Sequence, residues 1–371
     1  MSGGGERLGA GLGASGAGRR ADTSDAGDPL AAFDYALDPA RIAQHPAPER
    51  DGARLLVLDR ASGALSHRTI RDLPELLAPG DLLVVNATRV LPARLRGRAP
   101  SGGAREALLL GELGAAPDGG RLFRALVRGR VRTGDRLVFE RGAERLEAQV
   151  AAKAEDGEIE LRFARDAQPY ALGETPLPPY IRRAAPEAGD AERYQTVFAR
   201  VPGSVAAPTA GLHLSESLLA ALARRGVDRA EVVLHVGEGT FRPLRAADLA
   251  SDRLHAEAFE LPESTAAAVA RARERGGRVV AVGTTATRVL ESCAAEGGAV
   301  AARSGQTRLF LRPGSRFRVV DALLTNFHLP RSSLLVLAAA FAGRERVLAA
   351  YAAAQAAGYR FYSFGDAMLV I

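Results

Sequence analysis

Helix-like and strand-like segments alternate from residue 176 to the C-terminus, and this alternation constrains the fold more than any other feature of the sequence. Such a pattern is typical of a mainly parallel or mixed sheet that is flanked by helices. It predicts an α/β fold, with helices at 215–224, 262–275, 284–293, 332–341 and 345–357, and strands at 230–236, 278–282 and 365–371.

Two strands and a short helix are predicted upstream of this region. Residues 54–59 and 81–86 form apolar runs, and the second run is apolar on both faces, which favours a central position in the sheet. Residues 72–77 are predicted to form a short helix that Asp72 caps and Pro79 ends. We therefore expect both strands to belong to the same α/β body.

The segment from Arg94 to Ala164 has a different sequence pattern, because short apolar runs recur there between Gly or Asp-Gly turns. Regular spacing with little helix predicts a small antiparallel barrel, and an ordinary three- or four-stranded meander stays open as the alternative. We expect an α/β body with a mixed sheet and flanking helices at 30–93 and 176–371. An inserted barrel-like β domain should occupy 94–175, and the Gly-, Ala-, Ser- and Arg-rich residues 1–29 should be a disordered tail.

The composition excludes several classes of protein. Cys293 is the only cysteine of the 371 residues, which excludes an intramolecular disulfide and a cysteine metal cluster. No apolar run approaches the ~18 residues that cross a bilayer, so we expect a cytoplasmic protein without membrane association. The formal charge of +6 favours polyanionic partners such as RNA. Because Lys153 is the only lysine, the many arginines also fit a coding bias, and a merely solvated basic surface stays an alternative.

The first of four candidate loops, residues 203–213, is rich in small residues and opens the helix predicted at 215. Small residues let the backbone approach a ligand, and a helix N-terminus presents free N–H groups to it. Thr209 and His213 are the candidate side chains of this loop. The alternative is a plain loop with a helix cap.

The second loop, residues 234–242, carries His235 and Glu238 near the carboxyl end of a predicted strand. Ligands of α/β sheets generally bind outside those ends. Gly237 and Gly239 form a lone Gly-x-Gly, which is weak evidence by itself. Because the third glycine of a dinucleotide fingerprint is absent, we reject a nicotinamide site.

The third loop, residues 282–288, runs from a strand through Gly283, Thr284 and Thr285 into a helix that carries Arg288. Glycine, two hydroxyls and a helix N-terminus make a compact receptor for a carboxylate or a phosphate. Simple capping of the helix by either threonine explains the same residues, and the sequence leaves both interpretations open.

The fourth loop, residues 324–333, places Asn326, Phe327 and His328 between a strand and a helix. Asn326 and His328 can hydrogen-bond a base edge while Phe327 stacks on the base. The alternative is a structural turn with a structural histidine. No metal-binding histidine pattern, Gly-x-Ser-x-Gly elbow or Gly-Lys-Ser/Thr phosphate loop occurs, so the commonest hydrolase and triphosphatase functions are excluded.

These loops, together with other short segments in the same order along nearly the whole chain, closely resemble the S-adenosylmethionine:tRNA ribosyltransferase-isomerase family of the queuosine pathway. Each segment alone is modest, whereas the full set in family order is specific. The matching segments are residues 33–35, 42–44, 54–57, 86–90, 92–94, 176–181, 194–197, 203–213, 235–242, 283–291, 320–330, 359–361 and 365–368.

The resemblance implies a β-barrel inserted in an α/β body, and it implies the reaction. In that reaction the ribosyl group of S-adenosylmethionine is transferred to 7-aminomethyl-7-deazaguanine in tRNA and isomerised to an epoxy-cyclopentanediol, while adenine and methionine leave. Because the sulfonium acidifies the 5′ methylene and makes methionine a good leaving group, no cofactor is needed beyond S-adenosylmethionine as co-substrate. The implied partners are tRNA and S-adenosylmethionine, and we infer no obligatory protein partner.

Such a reaction needs a base for carbon deprotonation, donors for the departing adenine and a pocket that excludes water. Histidine suits proton transfer because its ordinary pKa lies near neutrality. The catalytic candidates are His213, His235 and His328, with Glu238 and Asp366 in reserve. The candidates for binding substrate are Asn86, Arg89, Thr209, Gly237, Gly239, Thr240, Gly283, Thr284, Thr285, Arg288, Asn326 and Phe327.

The chain departs from the family pattern at a few positions. Ala87 replaces an acidic or amide residue, Ala256 replaces a serine, and Ala258 replaces an aromatic residue that is often tryptophan. Tyr362 and Phe364 exchange the usual order of two aromatic residues. Since Ala256 and Ala258 shrink a stacking or hydrogen-bonding surface, ribosyl transfer to a free deazapurine or another small molecule is the alternative function. A catalytically inactive RNA-binding relative is the alternative outside enzymes.

Overall fold

The structure is a computed structural model that describes residues 28–154, 157–183, 187–237, 239, 244, 246–251 and 253–371. The tail predicted at 1–29 therefore lies outside the described residues, apart from its last two positions. Within the described part of the chain the strands are β1 (Arg54–Leu58), β2 (Leu65–Thr69), β3 (Leu82–Asn86), β4 (Thr88–Val90), β5 (Arg94–Arg98), β6 (Ala104–Ala115), β7 (Arg121–Arg128), β8 (Arg136–Arg141), β9 (Glu144–Lys153), β10 (Ile159–Phe163), β11 (Val201–Ser204), β12 (Asp228–Leu234), β13 (Arg253–Leu261), β14 (Val279–Val282), β15 (Arg303–Leu309), β16 (Ala322–Asn326) and β17 (Ala367–Val370).

The helices of the described residues lie mostly in the second half of the chain. They are α1 (Leu73–Leu76), α2 (Pro169–Leu172), α3 (Asp190–Arg193), α4 (Glu216–Arg224), α5 (Ala246–Ser251), α6 (Glu263–Glu274), α7 (Gly283–Ser292), α8 (Ser333–Ala342) and α9 (Arg344–Ala356). Ser215 caps α4 by accepting the N–H of Leu218, and Ser332 caps α8 by accepting the N–H of Leu335.

A nine-stranded mixed sheet forms the centre of the α/β body, with the strand order β15-β13-β12-β3-β14-β16-β17-β1-β2. The four strands β12, β3, β14 and β16 run parallel, and β13, β15, β17 and β2 introduce antiparallel pairings. All five residues of β3 are buried, so its predicted central position is confirmed. A strand that is apolar on both faces is stable only between two covering layers.

Alternate residues of the strands pack against helices on the two faces of this sheet. Leu82 and Val84 of β3 belong to the apolar cluster that α6, α7, α8 and α9 cover. Leu83 and Val85 point to the opposite face, where the apolar residues of α1 and α4 pack. The sequence prediction of a mixed sheet with flanking helices is confirmed.

The inserted segment forms a closed antiparallel barrel of six strands, in the order β10-β7-β6-β5-β8-β9. Its core includes the fully buried rings of Phe123, Phe139 and Phe163. The barrel, and not the meander, is therefore the correct one of the two predictions. The division of the chain at residues 93 and 176 into an inserted domain and a body stays a prediction.

Three local features differ from the expectations. Strand β5 was not predicted, because it presents one apolar residue, Leu95, among arginines and Gly97. Strand β13 was missed because only Phe259 and Leu261 of its residues are buried, and the edge strand β15 was missed because its sequence is mostly polar and exposed. Asp72 does not cap α1 with its side chain; its carboxylate accepts the N–H of Thr69 at 2.8 Å, in a capping box of the preceding turn.

Candidate active site

A cavity of about 400 Å³ lies at the carboxyl ends of β12, β14 and β16. All four candidate loops reach it, through residues 207–210, 236–237 with 239, 283–285 and 325–329. The barrel contributes Leu110, Arg124 and Glu158 to the same wall. The chain thus brings together, at one crevice outside the strand ends, segments that are far apart in sequence.

A buried ion pair forms one wall of the cavity. The guanidinium of Arg288, on α7, is paired with the carboxylate of Glu257, on β13, and both side chains are at least nine-tenths buried. Glu257 Oε1 also accepts the N–H of Gly237 at 3.0 Å, and Arg288 Nε donates to the carbonyl of Leu309 at 3.0 Å. Nη2 of Arg288 has no partner among the described residues, so one cationic N–H donor remains for a ligand.

The N-terminus of α7 lies beside this pair. Gly283 has φ +86°, a conformation that favours glycine, and it lines the cavity together with Thr284 and Thr285. Thr209 lines the cavity as well. The helix N-terminus and the free donor of Arg288 therefore give this end of the cavity a positive character.

Asn86 organises the loop ends from beneath. Its Nδ2 donates to the carbonyl of Leu234 at 3.0 Å and to Oγ1 of Thr285 at 3.1 Å, and its Oδ1 accepts the N–H groups of Leu234 and Thr88. Asn86 is 1% exposed and reaches the cavity only through Thr285. Arg89 is exposed, donates to the carbonyl of Ala199 at 3.3 Å and is outside the cavity lining.

Asn326, at the end of β16, and Tyr362 line another part of the cavity wall. Asn326 Nδ2 donates to the backbone carbonyl of Tyr362 at 3.0 Å and faces Nε2 of His213 at 3.1 Å. Among the described residues, Asn326 Oδ1 and the Tyr362 hydroxyl are buried without a hydrogen-bond partner. Burial raises the pKa of Tyr362, with Tyr180 and Tyr351 adding to the effect, so its phenol is neutral at physiological pH. These two polar atoms are available to a ligand.

The three candidate histidines occupy different environments. His328 lines the cavity, and its Nε2 is 2.7 Å from Oγ1 of Thr325. His213 lies behind Asn326, outside the lining of this cavity. Burial lowers the pKa of His328 to about 3, and burial with a contribution from Arg360 lowers that of His213 to about 4, so both imidazoles are neutral at pH 7.

His235 is half-buried and turned away from the cavity lining. Its Nδ1 is 2.9 Å from Oγ1 of Thr88, and its ring packs so closely on Gly203 that a Cβ there would lie 2.6 Å from Cε1. Burial lowers its pKa. Gly203 has φ +151°, so both the space and the backbone conformation at this position favour glycine.

Asp366 holds two chain segments together away from the cavity. Its Oδ1 accepts the N–H of Arg54 at 3.0 Å, and its Oδ2 accepts the N–H of Arg360 at 2.7 Å. Glu238 and Thr240 lie outside the described residues, whereas Gly237 and Gly239 line the cavity.

Phe327 is 0% exposed, and its ring packs against three other aromatic rings. It contributes to the cavity wall as part of this cluster, so little of its face is accessible to a base. The rings that pack on it belong to Tyr351, Tyr359 and Phe361.

Several residues that line the site were not singled out from the sequence. Glu257 and Tyr362 belong to segments that matched the family only loosely, and Tyr180 and Ser363 form a hydrogen bond of 2.5 Å in the cavity wall. Tyr180 lies in the matched segment 176–181, and this clustering of proline and tyrosine was the one available signal. Glu257 lies on β13, a strand with only two buried residues, and its sequence carried no comparable signal.

The positions that depart from the family pattern have distinct places. Ala256 lines the cavity, whereas the carbonyl of Ala258 accepts the N–H of His235 at 3.0 Å within the sheet. Ala87 is fully buried, and its carbonyl accepts the N–H groups of Arg200 and Val201. Only Ala256 among these three therefore contributes to the surface of the cavity.

Within the described residues, every helix is too short or too polar to span a lipid bilayer. No group of three or more histidine, cysteine, aspartate or glutamate side chains in the same residues is arranged to hold a metal ion.

Comparisons with known proteins give one consistent result. The family described as "Queuosine biosynthesis protein" matches residues 30–370. An S-adenosylmethionine:tRNA ribosyltransferase-isomerase of Anaeromyxobacter sp. (strain Fw109-5) is 54% identical over 92% of this chain and 98% of its own length. The protein of that name from Acidithiobacillus ferrooxidans is 54% identical over 91% and 96%. The crystal structure of S-adenosylmethionine tRNA ribosyltransferase from Thermotoga maritima covers 92% of this chain and 100% of its own, with 38% identity and a TM-score of 0.53.

Proposed function

The chain belongs to the S-adenosylmethionine:tRNA ribosyltransferase-isomerase family of queuosine biosynthesis, and on that premise we propose how its cavity carries out the reaction. The enzyme transfers the ribosyl group of S-adenosylmethionine to 7-aminomethyl-7-deazaguanine in tRNA and isomerises it, giving epoxyqueuosine with release of adenine and methionine. The observation that carries this function is the single cavity in which the four candidate loops meet the wall of the barrel.

The amino-acid end of S-adenosylmethionine binds at the positive end of the cavity. Its carboxylate accepts hydrogen bonds from the N-terminal N–H groups of α7, from the hydroxyls of Thr284 and Thr285, and from Nη2 of Arg288. Support comes from the unpartnered buried donor on Arg288 and from the favourable helix dipole. Because Glu257 already neutralises much of the arginine charge, the bound carboxylate gains directional hydrogen bonds rather than a full additional ion pair.

Proton transfer is assigned to His328. Among the three candidate histidines it is the one that lines the cavity, whereas His213 lies behind Asn326 and His235 faces Thr88. A neutral imidazole can accept the proton that leaves the carbon next to the sulfonium. Burial makes His328 a weak base, and the hydrogen bond with Thr325 orients its ring.

The tRNA approaches along the barrel. Arg124 of β7 lines the cavity, and the connection from the end of β7 to the start of β8 carries four exposed arginines, at positions 128, 130, 132 and 136. An RNA backbone that follows β7 from this connection would reach the cavity with its phosphates beside guanidinium groups. Because tRNA is modified where it is made and used, we propose a cytoplasmic location.

The decisive experiment is mass spectrometry of substrate tRNA after incubation with the enzyme and S-adenosylmethionine. We expect the mass of the epoxide product, with one adenine and one methionine released for each modified tRNA. Free 7-aminomethyl-7-deazaguanine serves as the comparison acceptor. Efficient transfer to the free base alone would support the small-molecule alternative, and tRNA binding without adenine release would support an inactive RNA-binding protein.

A further inference from the structure

The side-chain amide of Asn326 has one permitted orientation. A backbone carbonyl only accepts hydrogen bonds, so the group that faces the carbonyl of Tyr362 at 3.0 Å must be the NH₂ of Asn326. A flipped amide would place two acceptors, Oδ1 and that carbonyl, against each other. The neighbouring carbonyl therefore fixes which end of the Asn326 amide is the nitrogen and which is the oxygen.

His213 supplies the second acceptor for the same NH₂ group. Its Nε2 is 3.1 Å from Nδ2 of Asn326, and the ring is 5% exposed. An N–H on Nε2 would face the N–H of the amide, so Nε2 must be unprotonated and the ring proton must be on Nδ1. With both hydrogens of Nδ2 engaged, only Oδ1 of Asn326 remains for another contact.

Oδ1 of Asn326 has no hydrogen-bond partner among the described residues although the side chain is 2% exposed and lines the cavity. The hydroxyl of Tyr362, 6% exposed and on the same wall, is also unpartnered. Folded proteins rarely leave such groups unsatisfied when no ligand uses them. Tyr362 also has φ +75°, an uncommon conformation outside glycine, which hydrogen bonds to Phe327 and Gly365 maintain.

From this geometry we infer that Asn326 is a specificity-determining residue whose Oδ1 accepts a hydrogen bond from an amino group of a purine-type base, and that His213 is a positioning residue that holds the amide in this orientation. The inference rests on the proposed function, which supplies two such bases. They are the adenine of S-adenosylmethionine and the deazaguanine of the tRNA. The hydroxyl of Tyr362 donates to a ring nitrogen or carbonyl oxygen of the same base.

The first test removes the amino group from each base in turn and uses the wild-type enzyme. One arm compares S-adenosylmethionine with its analogue in which purine replaces adenine. The other arm compares an RNA hairpin that carries 7-aminomethyl-7-deazaguanine with a hairpin whose acceptor base lacks the amino group on the guanine ring and keeps the aminomethyl group. We expect kcat/KM to fall about 10-fold or more in one arm, because the analogue leaves Oδ1 unpaired. If the amino-bearing substrate and its analogue had equal kcat/KM values in each of the two arms, the inference would be overturned.

The second test asks whether Asn326 is the residue that reads the amino group. In Asn326→Leu, which keeps the branched shape and the number of heavy side-chain atoms, the preference for the amino-bearing substrate should disappear in the arm that wild type discriminates. A variant that retains the full wild-type preference would exclude Asn326 as its source. Thermal unfolding of the variant is measured in parallel, and the wild-type analogue comparison remains valid if the variant does not fold.

The third test separates a positioning role of His213 from proton transfer. His213→Gln places an amide oxygen near the Nδ2 group, so it should keep kcat within about threefold and keep the substrate preference. His213→Leu removes the acceptor and should lower the preference about 10-fold, mainly through KM. A loss of about 10²–10⁴ in kcat for His213→Gln would instead assign proton transfer to His213. His45→Gln is the matched control, since His45 is exposed and pairs with Glu187 at the surface.

These results can be distinguished from a failure of the proposed function. Formation of the epoxide by wild type establishes the reaction independently of how either base is read. Wild type that forms the product without discriminating the amino group would contradict only the role of Asn326. Wild type that forms no epoxide with intact substrates would contradict the proposed function itself.

Discussion

The carboxylate of Glu257, on β13, forms a buried ion pair with the guanidinium of Arg288, on the helix that begins at the end of β14. The pair connects β13, α7 and, through the N–H of Gly237, the loop that follows β12. One interaction thus positions three segments that line the cavity.

Glu257→Gln should destabilise the protein and weaken substrate binding. Removing one charge of a buried pair leaves the other charge uncompensated, which typically costs about 3–5 kcal/mol. Urea unfolding should reveal the loss of stability, and the KM for S-adenosylmethionine should change with it. Glu231→Gln, which removes the partner of the exposed Arg200, is the control and should cost at most about 1 kcal/mol. Equal effects of the two substitutions would contradict the importance of the buried pair.

His328→Ala should lower the single-turnover rate by about 10²–10⁴, because it removes the proposed proton acceptor from the cavity. Rapid-quench measurement of adenine release with saturating substrates is the suitable assay. His235→Ala, at a histidine that faces Thr88, should have a much smaller effect. Near-normal rates in His213→Ala, His235→Ala and His328→Ala alike would reject all three candidate histidines as the base.

The affinity for tRNA should fall steeply as salt concentration rises, because guanidinium groups displace counterions from the phosphates. Arg130→Gln and Arg132→Gln, in the loop that connects β7 to β8, should each lower the slope of log K against log salt by about 0.7–0.9. Arg68→Gln is the matched control, because Arg68 is exposed on β2, an edge strand of the nine-stranded sheet outside the barrel. A slope that these two loop variants leave unchanged would place the RNA elsewhere.

Stability should decrease as the pH falls below about 6.5, because the unfolded chain then binds protons that buried His213 and His328 do not. Their folded pKa values of about 4 and about 3 lie below the ordinary value, so the loss develops from pH 6.5 downward. Each histidine should cost about 2 kcal/mol at pH 5. His213→Gln and His328→Gln should each reduce the difference in unfolding free energy between pH 7 and pH 5. An unchanged difference in both variants would disprove neutral burial.

Gly97→Ala should destabilise the barrel. A Cβ at this position would lie 2.1 Å from the carbonyl oxygen of Val138 in the neighbouring strand, so β5 and β8 must separate locally. Overpacking of this kind costs about 1–3 kcal/mol, which the unfolding midpoint will report. Gly52→Ala is the control, because its Cβ would meet only Glu49 at an ordinary 3.7 Å. Similar midpoints for the two variants would contradict the close approach.

Local periodicity was sufficient for the main elements of the fold. The run of apolar residues in β3 predicted that this strand is buried on both faces and central in the sheet. Regularly spaced turns between short apolar runs indicated the β-rich insert that forms the barrel. Both predictions were possible because the number of buried faces determines how apolar residues are spaced along a strand. Elements without that spacing were not predictable. Leu95 is the only apolar residue of β5, β13 buries only two of its nine residues, and the edge strand β15 is largely polar.

The sequence by itself therefore determined the α/β body, a β-rich insert and the four loops, since each depends on residues that are close together in the chain, whereas the structure decided that the insert closes into a barrel. Only the tertiary structure decided what the polar side chains do. The orientation of Asn326 depends on His213 and Tyr362, and the free donor of Arg288 depends on Glu257. Hydrogen bonds and burial set by partners tens of residues away decide which atoms remain for a ligand, and no local pattern of residues carries that information.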